Sequence, residues 1–113
     1  MYAREIRVSE LARSCATRES GRRVYPRLAE AFDAARAAGH ELVVSFEGIP
    51  LVTPSFLDET LVRLVRDRER GSILVKGVGE VAIRILEKLL ETTGKQVELR
   101  RESHGVFRLQ RAA

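Results

Sequence analysis

Glu41-Leu-Val-Val-Ser-Phe-Glu-Gly-Ile-Pro-Leu-Val-Thr-Pro-Ser-Phe-Leu-Asp-Glu-Thr-Leu-Val-Arg-Leu64 decides how this chain folds. Leu42-Val43-Val44 with Phe46 is an apolar, β-branched run too short for a helix and suited to a central strand. Glu47-Gly48-Ile49-Pro50 breaks it. After Leu51-Val52, Thr53 and Ser55 flank Pro54, and Leu57, Leu61, Leu64 and Val65 then recur on one helical face. The stretch is thus a buried strand that delivers a short polar loop onto the start of an amphipathic helix, running from about Ser55 to Glu69. Such a loop lies at the carboxyl end of a strand, where α/β sheets place their ligand crevice.

Outward from this stretch the strand-helix unit recurs. Glu5-Ile6-Arg7-Val8 alternates as a first strand, and Thr17 to Ala38 holds a first helix with an inner stripe of Val24, Leu28, Phe32 and Ala35. Gly39 is placed to end that helix. Pro26 conflicts with it, so either the helix begins near Pro26 or it is kinked there. Gly71 closes the second helix, Ser72-Ile73-Leu74-Val75-Lys76 is the next strand, and a helix follows from Glu80 to Thr92 with Gly94 as its stop. Its apolar residues Val81, Ile85, Leu86, Leu89 and Leu90 should face the sheet. Three such units imply a parallel or mixed sheet with right-handed crossovers. Val97, Leu99, Phe107 and Leu109 alternate with charged residues around Ser103-His104-Gly105, which predicts a C-terminal antiparallel hairpin. The expected fold is a single α/β domain over residues 1–113, a mixed sheet packed by about three helices.

The same residues resemble the STAS family, the sulphate transporter and anti-sigma factor antagonist domains, and more closely the bacterial STAS-like domains of unassigned function. The likeness rests on Val43-Val44-Ser45-Phe46-Glu47-Gly48-Ile49, on Thr53-Pro54-Ser55-Phe56-Leu57-Asp58 and on Thr17-Arg18-Glu19-Ser20-Gly21, and it spans about Arg4 to Leu90. It implies a non-catalytic regulatory domain that binds another protein, a GHKL-type ATPase or kinase, or an anti-sigma factor, through Thr53, Ser55, Phe56 and Asp58. In the antagonists the loop is Asp-Ser-Ser-Gly, and its first serine is phosphorylated to release the partner. Laid over this chain, that serine falls on Pro54, which has no hydroxyl. The switch is therefore missing, or moved to Thr53 or Ser55. STAS domains usually finish on a helix, so the hairpin is a second departure.

Bland roles compete for the same loop. Thr53 can cap the helix with Pro54 in its first position, or Ser55 can cap it with Asp58 reaching back. Phe56, if not buried, would be an aromatic anchor for a partner.

Composition excludes several classes. The 113 residues are 44% hydrophobic and 32% charged, an ordinary folded composition. No stretch of 18 apolar residues occurs and Met1-Tyr2-Ala3-Arg4-Glu5 lacks a signal-peptide core, so a cytoplasmic protein without a membrane segment is expected. Cys15 is the lone cysteine, favoured as a buried or incidental thiol over a nucleophile, since His40 and His104 lie in separate turns. The net charge of +4 divides as +3 for residues 1–36, −2 for 37–71 and +3 for 72–113. Six aromatic residues and no basic stripe argue against nucleic-acid binding. Arg18, Arg22 and Arg23 crowd a helix start, where the macrodipole prefers acids; solvated side chains are favoured over contacts with an anion or an acidic partner. A homodimer stays open.

The runner-up function is nucleotide binding at Gly77-Val78-Gly79-Glu80-Val81-Ala82, which matches G-x-G-x-x-A between a strand and a helix. Glu98 has the spacing of the ribose-binding acid but lies near the beginning of its strand, and Glu80 would repel phosphate. A close-packed turn is favoured. No cofactor, metal site or catalytic set is expected from the residue types present.

Overall fold

The computed structural model describes residues 2–93 and 96–112. Its strands are β1 (Ala3–Arg7), β2 (Glu41–Ser45), β3 (Ser72–Lys76), β4 (Val97–Ser103) and β5 (Val106–Arg111), joined in one sheet of order β1-β2-β3-β5-β4. β1, β2 and β3 are parallel, and β5 runs antiparallel between β3 and β4. The mixed sheet and the C-terminal hairpin both follow the alternation in the sequence. The hairpin turns at Gly105, whose φ of +74° is cheap only for glycine.

Alternate residues of each strand take opposite faces. Leu42, Val44, Ile73, Val75, Phe107 and Leu109 form the inner face and join the helices in the core. The other face is polar and tied across strands: Arg108 donates to Glu41, to Ser72 Oγ at 2.8 Å and to Glu102 at 3.1 Å, and Lys76 pairs with Glu5 at 2.7 Å.

Helix α1 (Arg18–Ala37) starts at Thr17, whose hydroxyl accepts from the Ser20 amide while Ser20 Oγ accepts from the Thr17 amide. Val24, Leu28, Phe32 and Ala35 are buried as their spacing predicts, and Gly39 takes a φ of +74° just beyond the helix. Pro26 lies well inside α1, neither at its start nor at a break. It sits on the exposed side, where water can reach the backbone acceptor it leaves unpaired.

The helix after β2 has three parts: α2 (Pro54–Leu57), a π turn (Asp58–Val62) and α3 (Arg63–Arg66). Leu57, Leu61, Leu64 and Val65 are fully buried. Thr60, also buried, donates its hydroxyl back to the Phe56 carbonyl at 2.8 Å where the helix widens. The widened turn lies against α1 at Gly21, where an added Cβ would sit 3.1 Å from Glu59 Cβ. The helix ends at Arg66, short of the expected Glu69, and Gly71 does not supply a left-handed stop. Arg70 takes that conformation, φ +54°, and Gly71 is required because a Cβ there would lie 2.4 Å from the Val65 carbonyl oxygen.

Helix α4 covers Glu80–Thr92 as expected; Gly94, its expected stop, lies outside the described residues. It buries Ile83, Leu86 and Leu90. Val81 and Ile85, expected to face the sheet, are 73% and 52% exposed. At about 100° per residue they lie about 160° around the helix from Ile83. No described helix is long and apolar enough to cross a membrane.

Two outcomes follow from these packings. Pro26→Ala should restore one helical hydrogen bond on an exposed face and raise stability by about 1 to 3 kcal/mol, read by denaturant unfolding. Arg68 grips Asp33 through two hydrogen bonds of 3.0 and 3.1 Å, holding its carboxyl below the usual aspartate range. A depressed folded value means the stabilisation is complete above the unfolded value near pH 4 and is lost as pH falls through the folded one. Asp33→Asn should therefore lose less stability than the native chain between about pH 5 and pH 2.

Candidate functional site

The loop from Phe46 to Thr53 is held at both ends by backbone contacts. The Phe46 amide donates to the Lys76 carbonyl at 2.9 Å and so extends the β2–β3 ladder, and Gly48 turns the chain with a φ of +85°. At the far end Val52 forms a parallel bridge with Cys15, and the Thr53 amide donates to the Cys15 carbonyl at 3.0 Å. The segment before α1 therefore clamps the segment before α2.

Thr53 completes the clamp with its side chain. Its hydroxyl donates to the Ala16 carbonyl at 3.0 Å and accepts from the Phe56 amide at 3.2 Å. Thr53 is thus the cap, with Pro54 in the first helical position, and the alternative, Ser55 as the cap with Asp58 reaching back, is not used. Ser55 is half-buried. Asp58 is turned toward α1, where it accepts from Arg18 at 2.8 Å, and Glu59 lies within 3.5 Å of Arg18 and 3.8 Å of Arg22. The crowded arginines at the start of α1 thereby find their acids inside the molecule, Arg18 and Arg22 on the helix after β2 and Arg23 within α1 itself, where it pairs with Glu19 at 3.0 Å.

Phe56 needs a correction. Its side chain is fully buried and meets Phe46 edge-on, with ring centroids 6.1 Å apart. The condition for an aromatic anchor is not met, and a ring in the core cannot present itself to a partner.

A second loop lies beside the first. Gly77 has a φ of +84°, and a Cβ there would stand 2.6 Å from the Glu47 amide nitrogen. Glycine is demanded by this close approach to β2, independently of any ligand. Glu98 pairs in register with Gln110, which pairs with Ser72 at the start of β3, a strand length away from Gly77. Glu80, in the first turn of α4, pairs with Arg101 at 2.9 Å and Arg84 at 3.5 Å.

Between the two loops runs a groove of about 310 Å³ lined chiefly by Pro50, Leu51, Pro54, Val81, Ala82 and Ile85. Leu51 is 59% exposed, so three large aliphatic side chains of this groove stand in solvent. The sequence carried a signal for it. Val81, Ile83, Ile85, Leu86, Leu89 and Leu90 are more apolar positions than one buried stripe of a surface helix can hold.

Cys15 is buried, and desolvation pushes its thiol up to about 11, which opposes a nucleophilic role. Among the described residues no group of three or more His, Cys, Asp and Glu could hold a metal ion.

The model of the family described as STAS-like domain of unknown function (DUF4325) matches residues 20–81, more than half of the chain and the part that contains both loops. No curated protein and no solved structure matches it.

The two hydroxyls of the loop should separate on mutation. Thr53→Ala removes the cap and the tie to Ala16 and should cost about 2 kcal/mol in urea unfolding, whereas Ser55→Ala should change stability by less than about 0.5 kcal/mol. Equal costs would show that Thr53 is not the anchor.

Proposed function

We propose, from the premise that the chain belongs to the family of STAS-like domains of unknown function, that it is a non-catalytic regulatory domain whose partner protein docks on the groove between its two loops. The exposure of Leu51, Val81 and Ile85 beside the loop carries this reading. Three aliphatic side chains held in solvent by a rigid frame cost solvation free energy that a docking partner would recover. Thr53, Ser55 and Asp58 contribute the polar margin, and Phe56 supports the loop from below. The family resemblance favours a GHKL-type ATPase or kinase, or an anti-sigma factor, as the partner.

Control by phosphorylation, if it operates at this loop, falls to Ser55. Pro54 has no hydroxyl, and the Thr53 hydroxyl is engaged on both sides by Ala16 and Phe56. The buried, high-pKa thiol of Cys15 supports the non-catalytic reading.

Charge on the groove gives the test. Ile85→Glu and Val81→Arg replace exposed side chains and should leave the melting temperature nearly unchanged. Each should abolish binding to the cognate ATPase or anti-sigma factor in a pull-down from the native host, because a charge in an apolar interface core is left desolvated and unpaired. A partner retained by both variants would place the interface elsewhere.

A further inference from the structure

At the opposite pole of the sheet, where β2 and β3 begin, two neighbouring cavities share Arg70 and Ser72. The narrower, about 100 Å³, is lined by Phe32, Arg36, His40, Leu42, Arg70 and Ser72. The wider, about 540 Å³, adds Gln110 and Arg111 from the end of β5.

The chemistry of this pole is cationic and underused. Among the described residues Arg36, Arg70 and Arg111 have no carboxylate within 4.0 Å, as is also true of Arg4, Arg13, Arg27 and Arg100, but these three line the two cavities of this pole. His40 contributes a buried Nδ1 with no hydrogen-bond partner, which is costly for a polar atom in a folded protein. Ser72 Oγ is turned to the polar face of the sheet, where it accepts from Arg108. Two carboxylates are near. Glu69 lines the wider cavity, and Glu41 is engaged by Arg108.

We propose that this pole binds a small phosphorylated ligand, its phosphoryl group held at the narrow cavity by Arg36 and Arg70 beside His40. The site is separate from the groove and does not depend on it. The cavity is lined from three elements, by Phe32 and Arg36 of α1, by His40 and Leu42 at the start of β2, and by Arg70 and Ser72 at the turn before β3. A tetrahedral phosphoryl group offers acceptors to Arg36 and Arg70 together, whereas a planar carboxylate has two oxygens. Guanidinium groups bind phosphate oxygens through paired hydrogen bonds of the charge-assisted kind. The wider cavity, with Arg111 and Gln110, accommodates whatever the phosphoryl group is attached to.

Titration calorimetry of the full chain with inorganic phosphate, AMP and acetate tests the assignment. Both phosphates should bind at least about tenfold more tightly than acetate, the difference expected when charge-assisted hydrogen bonds are lost. AMP tighter than phosphate identifies a phosphomonoester ligand; equal affinities identify the free anion. Arg70→Gly removes a guanidinium at a position whose φ of +54° suits glycine, so the variant folds, and it should weaken phosphate binding about tenfold. Arg36→Gln should do the same. Arg13→Gln, at the other pole, should not. Phosphate affinity no greater than that for acetate, unchanged affinity in Arg70→Gly, or an equal loss in Arg13→Gln would each overturn the proposal, the last by showing attraction to net charge alone.

Discussion

The Thr53 hydroxyl is the point on which the arrangement of the two loops depends. It gives its proton to the Ala16 carbonyl and receives one from the Phe56 amide, so the same atom closes the chain onto the segment before α1 and starts the helix after β2. A cap alone satisfies one orphan amide. Here the cap is also a tertiary tie, and the Thr53 amide repeats it at Cys15. Val52, fixed by the clamp, is buried, and Phe46, Phe56 and Leu57 on either side of the loop are fully so, while Leu51 between them is left 59% exposed. Gly77 supplies the other wall, since only a residue without a Cβ lets the β3–α4 turn come so close to Glu47.

What the sequence disclosed follows from period. Strand alternation and the Leu57, Leu61, Leu64, Val65 stripe are local patterns; burial follows the stripe fully and the alternation in β3 and β5, while Ser45 is buried beside Val44 in β2. The hairpin was legible for the same reason, although its insertion with β5 beside β3 was not, because strand order is a matter of long-range pairing. Pro26 does not mark a helix start, because tertiary packing overrides a weak local prior: Val24, Leu28, Phe32 and Ala35 bury on one side of α1 while Pro26 faces solvent. The π turn had no local mark apart from Thr60, whose hydroxyl competes for a helical carbonyl.

The candidate site was half legible. The loop and its capping threonine could be read from Thr53-Pro54, but the Arg18–Asp58 pair joins residues 40 apart and leaves no trace in spacing. Val81 and Ile85 were misassigned for an instructive reason. Val81, Ile85, Leu86, Leu89 and Leu90 were taken as one face and Ile83 was passed over, whereas the arc available to the sheet fully accepts only Ile83, Leu86 and Leu90. An excess of apolar residues over the arc that can be buried is itself the sign of a second contact surface.

The direction in which the polar groups of the loop are spent bears on the kind of contact it can make. Thr53 faces the β1–α1 segment, Asp58 faces Arg18, and Glu80 is held between Arg84 and Arg101. A partner that relied on any of these would first have to break an existing pair, leaving Arg18 or Arg101 with less compensation than before. Exposed ion pairs return little free energy when exchanged for others of the same kind. Apolar contact carries no such exchange: Leu51, Val81 and Ile85 are uncompensated in the free chain, so covering them is a net gain, and the charged pairs around them remain as a rim that sets orientation. In the proposed docking mode affinity would therefore reside in the groove, with the polar loop serving chiefly to hold the groove open.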